Sequence, residues 1–313
     1  MYTLFLFFLL FQFQTINLSF LNKPKVQRNL ETKSDDIVIL HLNDVHCGIN
    51  DTIGYDGFLL YREEIKKQYN YVITVDVGDH IQGGTLGAIS FGEAIIRIMN
   101  EINFDVAILG NHEFDYGVEK LIELGNNITN RYICANFRKK STGLPLFDPY
   151  KIIEIGGKKI AFIGVLTPLT FSKTYLCSKK DEDGNPTYDF LAEQLSTIIQ
   201  AYIDEVKTNG ANYVILLTHM GMDVEEYTSN DLISNLEGVD AVLDGHTHKI
   251  YNTTTNDLNN NNIPISQTGT KLESIGKLIL KKDGTISSEI IKEVPQPIDK
   301  TNAIKVKRSN IDR

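Results

Sequence analysis

Residues 37–46 read IVILHLNDVH, an apolar run rich in β-branched residues that stops at two side chains able to bind metal, Asp44 and His46. Five apolar residues in six, rich in β-branched side chains and interrupted only by His41, suit a strand. The same grammar recurs down the chain. VITVDVGD (72–79) ends at Asp79, VAILGN (106–111) at Asn111, YVILLTH (213–219) at His219, and AVLDGHTH (241–248) at His246 and His248. Strands are expected at 37–42, 71–77, 106–109, 132–135, 159–165, 213–217 and 241–243.

Segments of helical period fill the gaps. Phe58, Tyr61, Ile65 and Tyr69 mark one helical face; Leu191, Leu195, Ile198, Tyr202 and Val206 mark another, closed by Gly210. Strands alternating with helices define an α/β layered domain, expected over 36–294. The asparagine-rich run 256–262 is expected to be a surface hairpin loop or insertion, with a late pair of strands at 277–281 and 287–293. From residue 295 to 313 the periodicity is lost, as in a linker or frayed C-terminus. At the other end, Leu4 to Phe11 is unbroken apolar sequence, and residues 1–21 read as a secretory signal peptide. The protein is therefore expected to be secreted or held at the cell surface.

A formal charge of −9, with no stripe of lysine and arginine interleaved with aromatics, argues against nucleic acid as a partner. Cys47, Cys134 and Cys177 are too few for a disulfide framework or a thiolate metal site.

Strand ends converge on one edge of a sheet, where α/β proteins bind ligands. Asp44 with His46, and His246 with His248, are two residues apart, so each pair can address one site. Gly78, Gly110 and Gly245 directly precede Asp79, Asn111 and His246, as suits sharp turns and close backbone approach. His112 follows Asn111, and Asp115 stands one helical turn further on, able to orient the imidazole. Glu113 between them reads as a neighbour supporting the loop. Of seven histidines, five fall at these ends; only His41 and His80 do not. Imidazole, carboxylate and amide oxygen without thiolate suit zinc, manganese or iron. The set is too rich for one tetrahedral ion, and two divalent ions about 3.5–4 Å apart would use it fully. Phe91, Phe104 and Phe114 read as packing residues, while Phe137 and Arg138 are secondary candidates for substrate contact.

The motifs DVH (44–46), GDHIQGG (78–84), GNHEFDYG (110–117), THMG (218–221) and GHTH (245–248) together resemble those of the calcineurin-like metallophosphoesterases. NHEFDYG, CANF (134–137) and QTGT (267–270) are similar to the 5′-nucleotidase branch, which includes UDP-sugar hydrolases and 2′,3′-cyclic phosphodiesterases. The resemblance implies a four-layer α/β/β/α sandwich. It also implies one metal on Asp44, His46, Asp79 and His248 and a second on Asp79, Asn111, His219 and His246, with Asp79 bridging. His112 and Asp115 would form a catalytic dyad at the phosphate and the leaving oxygen.

The expected activity is hydrolysis of nucleoside 5′-monophosphates or related phosphate esters by in-line attack of a metal-bound hydroxide. A UDP-sugar pyrophosphatase or a 2′,3′-cyclic nucleotide phosphodiesterase would use the same metals. Full-length 5′-nucleotidases carry a C-terminal nucleotide-binding domain that has no counterpart in these 313 residues. That difference keeps open a non-enzymatic alternative, a secreted binding protein on an idle scaffold.

Overall fold

The computed structural model describes residues 32–174, 179–224 and 226–294. All but Thr32 belong to the compact unit Lys33–Arg313. The expected leader, Cys177 and the segment from 295 onward lie outside the described residues.

In chain order the elements are β1 (Ser34–Leu42), α1 (Gly54–Gln68), β2 (Tyr69–Asp76), α2 (Gly84–Ser90), α3 (Glu93–Ile102), β3 (Val106–Ile108), α4 (Val118–Asn127) and β4 (Tyr132–Ile133). Then come β5 (Arg138–Lys139), β6 (Leu144–Pro145), β7 (Tyr150–Ile155), β8 (Lys158–Leu166), α5 (Thr170–Lys173), β9 (Tyr188–Asp189) and α6 (Leu195–Thr208). The chain continues through β10 (Tyr213–His219), α7 (Ser229–Ile233), β11 (Ala241–Asp244), β12 (Ile250–Asn256), β13 (Asn262–Thr268), β14 (Ile275–Leu280) and β15 (Ile286–Ile291). One six-stranded sheet runs β15-β14-β1-β2-β3-β4; a second runs β12-β13-β11-β10-β8-β7; a small sheet runs β6-β5-β9.

The two large sheets pack face to face because their strands alternate between two apolar environments. In β1, Ile37 and Ile39 join Ile73, Val75 and Ile108 against Phe162, Ile215, Leu217 and Leu243 of the second sheet. Val38, Leu40 and Leu42 point the other way, onto Phe58, Ile95, Met99 and Leu121 of α1, α3 and α4. In β10, Val214 and Leu216 face Ile199, Ile203 and Leu232 of α6 and α7. Both faces of each sheet are thus covered, giving the α/β/β/α sandwich, and each fully buried aliphatic side chain contributes about 1.5–3 kcal/mol. Within the first sheet β1, β2 and β3 are parallel. In the second, β8, β10 and β11 are parallel.

Three local expectations are corrected. Tyr69 opens β2 with extended backbone, its N–H capping α1 through the Ile65 carbonyl, so it does not close the helical face. Leu191 stands before α6 in a left-handed turn, separated from it by the 3-10 turn Ala192–Gln194. Phe91 is not a packing residue: it caps α2 in the left-handed conformation, which leaves it 57% exposed and edge-on to Tyr116. Phe104 and Phe114 are buried as expected. The asparagine-rich run is a hairpin tip between β12 and β13, folded by the Asp257 carboxylate, which accepts the N–H groups of Asn259 and Asn261.

Candidate metal centre

The C-terminal ends of β1, β2, β3, β10 and β11 bring seven side chains to the seam between the two sheets. Donor atoms of Asp44, His46, Asp79 and His248 lie within 4.8 Å of one another, as do those of Asp79, His219 and His246. Asp79 belongs to both groups. Asn111 joins the second, its Oδ1 standing 2.7 Å from His246 Nδ1. Beside them His112 Nδ1 donates to Asp115 Oδ2 at 2.7 Å. Every residue singled out as a ligand or as part of the dyad therefore comes to this one rim. Phe137 does not: it is buried among Phe114, Phe147 and Phe190, and Arg138 donates to Gly143 O and Tyr202 Oη.

Each acid is held by one oxygen and presents the other. Asp44 Oδ2 accepts from the His246 N–H at 2.9 Å and from Asn43 Nδ2, while Oδ1 is buried without a hydrogen bond. Asp79 Oδ1 accepts the His112 N–H at 2.8 Å, and its Oδ2 lies 3.1 Å from His219 Nε2. His219 donates Nδ1–H to the Val77 carbonyl at 2.7 Å, which leaves Nε2 turned toward Asp79 and Asp44. That nitrogen is also buried and makes no hydrogen bond. His46 Nδ1 contacts the Gln82 carbonyl, which leaves Nε2 facing His248 Nε2 at 3.0 Å. Buried polar atoms left without a partner, Asp44 Oδ1 and His219 Nε2, are costly unless something satisfies them. The donor chemistry and these orphaned atoms fit two divalent cations.

The backbone is strained to achieve this. Asp44, His46, Asp79, His246 and His248 all have positive φ, from 45° to 88°, a region costly for residues with a side chain and concentrated at functional sites. Close approach explains the preceding glycines: a Cβ on Gly110 would lie 2.1 Å from Asp79 Oδ1, and one on Gly78 2.5 Å from the Gly110 nitrogen.

Electrostatics follow the geometry. Burial disfavours the Asp79 charge, but His219, His46 and His112 outweigh it and hold the carboxyl well below the usual range. Burial likewise opposes a charge on His219, and Asp79 and Asp44 overcome it, pushing the pKa up to about 10. His112 is raised to about 9, chiefly by its hydrogen bond to Asp115. His246 falls to about 4 through burial first, then through the nearby His219 and Lys173 charges. An open cleft of about 260 Å³ is lined by Asp79, Asn111, His112, Asp115, Lys173, Thr174, His246 and His248.

Residues beyond the ligands hold the rim, and of these only Glu113 was expected from the sequence, as a support for its loop. Glu113, fully buried, accepts four backbone N–H groups, those of Asp79, His80, Gly110 and Ile81, at 2.6–3.3 Å. Asp244 accepts the hydroxyls of Thr218, Ser229 and Tyr251 and the N–H groups of Gly221 and Gly245. Asn43 ties β1 to Thr268 and Gly269. Gln267, with its amide oxygen toward the turn, accepts from the N–H groups of His248 at 2.9 Å and Lys249 at 3.1 Å. Asn43 and Asp244 carried a signal, a polar residue one or two places before a ligand within an apolar run. Gln267 opens the QTGT motif, which says nothing of its contact with the His248 turn, and Lys173 carried no signal; both are distant in sequence from any ligand.

Fold and site together define an α/β sandwich built around two adjacent divalent-metal sites that share an aspartate. The chain belongs to the calcineurin-like phosphoesterase family, whose model matches residues 37–250. It is 30% identical to rat 5′-nucleotidase over 235 residues, 69% of this chain and 38% of that protein. It is 28% identical to the 2′,3′-cyclic-nucleotide 2′-phosphodiesterase/3′-nucleotidase of Yersinia enterocolitica, over 69% of this chain and 37% of that one. The chain thus spans under two fifths of the length of these relatives. Among solved structures, the 5′-nucleotidase precursor of Thermus thermophilus shares the fold with a TM-score of 0.69 at 22% identity, over 83% of this chain and 55% of that one. A calcineurin-like phosphoesterase from Bacillus subtilis does so with a TM-score of 0.68 at 23% identity, over 83% and 92%.

Proposed function

We propose that the chain is the catalytic unit of a divalent-metal-dependent phosphoesterase hydrolysing nucleoside 5′-monophosphates or related phosphate esters. The observation that carries the reading is the pair of donor clusters sharing Asp79, with the His112–Asp115 pair on the wall of the same cleft. Asp44, His46, Asp79 and His248 would hold one cation, and Asp79, Asn111, His219 and His246 the other. Bound there, the two cations would supply an activated water and positive charge to the phosphoryl oxygens. The protein's own part is placement and protons. Asp115 fixes the His112 tautomer and keeps the ring protonated below about pH 9, leaving Nε2–H as the donor available to the leaving oxygen. Nucleotides are favoured by the names of the relatives, as is export by the venom 5′-nucleotidases among them, consistent with a leader over 1–21.

Purified protein loaded with manganese or zinc is expected to release phosphate from an aryl phosphate and from AMP. UDP-glucose and 2′,3′-cyclic AMP in the same panel rank the pyrophosphatase and cyclic-diester readings. Asp79→Asn should lower turnover by at least about a thousandfold and cut the metal content, since one residue serves both clusters. Turnover retained in that variant would sink the reading, and fewer than about one ion per wild-type chain with no ester cleaved would favour the idle scaffold.

A further inference from the structure

We propose that Lys173 is a specificity-determining residue, reading the second negative charge that distinguishes a phosphomonoester from a phosphodiester. The inference deepens the phosphoesterase reading and rests on it.

Lys173 is the only lysine or arginine lining the cleft among the described residues. It sits where a loop leaves the end of β8, and that loop is tied to the metal rim itself. The Thr167 N–H bonds the carbonyl of His219 at 3.0 Å, Thr167 and Thr170 are fully buried, and the Lys173 N–H closes the turn on Leu169 O at 3.0 Å. The ammonium is therefore carried by a fixed turn hung from a candidate ligand, and its charge reaches the His246 ring. The acids that share the cleft are engaged elsewhere, Asp115 by His112 at 2.7 Å and Asp79 by His219 at 3.1 Å. Among the described residues Lys173 has no carboxylate partner, and its side chain is exposed at the cleft. In a chain of net charge −9, a lone unpaired ammonium on the wall of an anion site is a local attraction that the rest of the surface does not provide.

The chemistry it selects follows from charge. A phosphomonoester is largely dianionic near neutral pH, because its second ionisation lies near pH 6, whereas a diester carries a single charge. An ammonium beside the phosphoryl group favours the dianion through a charge-assisted hydrogen bond that the diester, with a second oxygen esterified, satisfies less well.

The test compares wild type, Lys173→Met and Lys173→Arg, each loaded with manganese, on para-nitrophenyl phosphate and bis(para-nitrophenyl) phosphate. In Lys173→Met, KM for the monoester should rise about three- to tenfold while KM for the diester moves less than about twofold, and Lys173→Arg should recover most of the difference. Inorganic phosphate binding, measured by calorimetry on the metal-loaded proteins, should weaken by a similar factor in Lys173→Met. Equal changes on both esters, or none on either, would overturn the proposal. A wild type that cleaves neither ester would defeat the phosphoesterase reading alone, and the phosphate titrations would still decide Lys173: equal binding by wild type and Lys173→Met overturns it.

Discussion

The two rims that meet at the metal centre are not equivalent. The rim of the first sheet supplies both carboxylates and the amide, Asp44, Asp79 and Asn111, with a single candidate imidazole ligand, His46; the rim of the second supplies only imidazoles, His219, His246 and His248. Neither sheet alone holds a complete donor set, so the site exists only when the sandwich closes, and cation binding should report on the packing of the two sheets as well as on local chemistry. Each rim is also knotted by a buried carboxylate, and the knots are made differently. Glu113 gathers backbone N–H groups alone, whereas Asp244 gathers three side-chain hydroxyls besides its backbone donors.

That difference is sharpest under carboxylate-to-amide replacement, with the largest effect expected at Glu113. Backbone N–H groups cannot turn round. In Glu113→Gln one oxygen becomes an NH2 that faces two N–H donors, with no water to take up the conflict at a fully buried position. A loss of about 3 kcal/mol in urea unfolding is expected, together with weaker manganese binding, because the Asp79 and Gly110 turns would separate. Wild-type stability in Glu113→Gln would mean that the first rim is held by its strands and not by this knot.

A second asymmetry is that the His112–Asp115 pair belongs to the first rim only. The Asp115 hydrogen bond is the main cause of the raised His112 pKa, with burial opposing it and Asp79 adding to it. The folded pKa of about 9 lies above the ordinary histidine value, so the stability this cation contributes is fully present below about pH 6.5 and is lost as pH rises through about 9. The alkaline limb of kcat/KM should fall in the same window. Asp115→Asn removes the principal raising cause, so the limb should move toward lower pH while kcat drops about a hundredfold. An unmoved limb would assign the profile to another group.

Much of this was legible because the ligand-bearing segments obey two rules at once. An apolar run such as YVILL can only be a buried strand, and a histidine or aspartate at its end has to face an edge. The four-layer arrangement followed from the family resemblance, and its physical basis is the alternation of Ile37 and Ile39 with Val38 and Leu40, both sets apolar. What stayed hidden depended on tertiary approach. The QTGT motif marks Gln267 only by family pattern and does not announce that it will reach the backbone of His248 and Lys249, and a lysine in TFSK looks like any solvated cation until β8 places it on the cleft. Phe91 misled for a related reason: its side chain is apolar, but its backbone caps a helix and carries it off the packed face.

The smallest predicted effect returns to the second rim. In Asp244→Asn the retained oxygen can keep the N–H groups of Gly221 and Gly245 at 3.2 and 2.9 Å, while the new NH2 replaces the oxygen that accepted from Ser229 and Tyr251. Those partners are hydroxyls, whose protons rotate, so each can accept where it previously donated. Ser229 already has Thr218 Oγ1 at 3.2 Å as another acceptor. The expected cost is about 1 kcal/mol by urea unfolding, with manganese affinity nearly intact. The two amide variants measured side by side thus separate a knot of rotating donors from a knot of fixed ones. Equal losses at Glu113 and Asp244 would show that the rigidity of the donors is not what sets the cost.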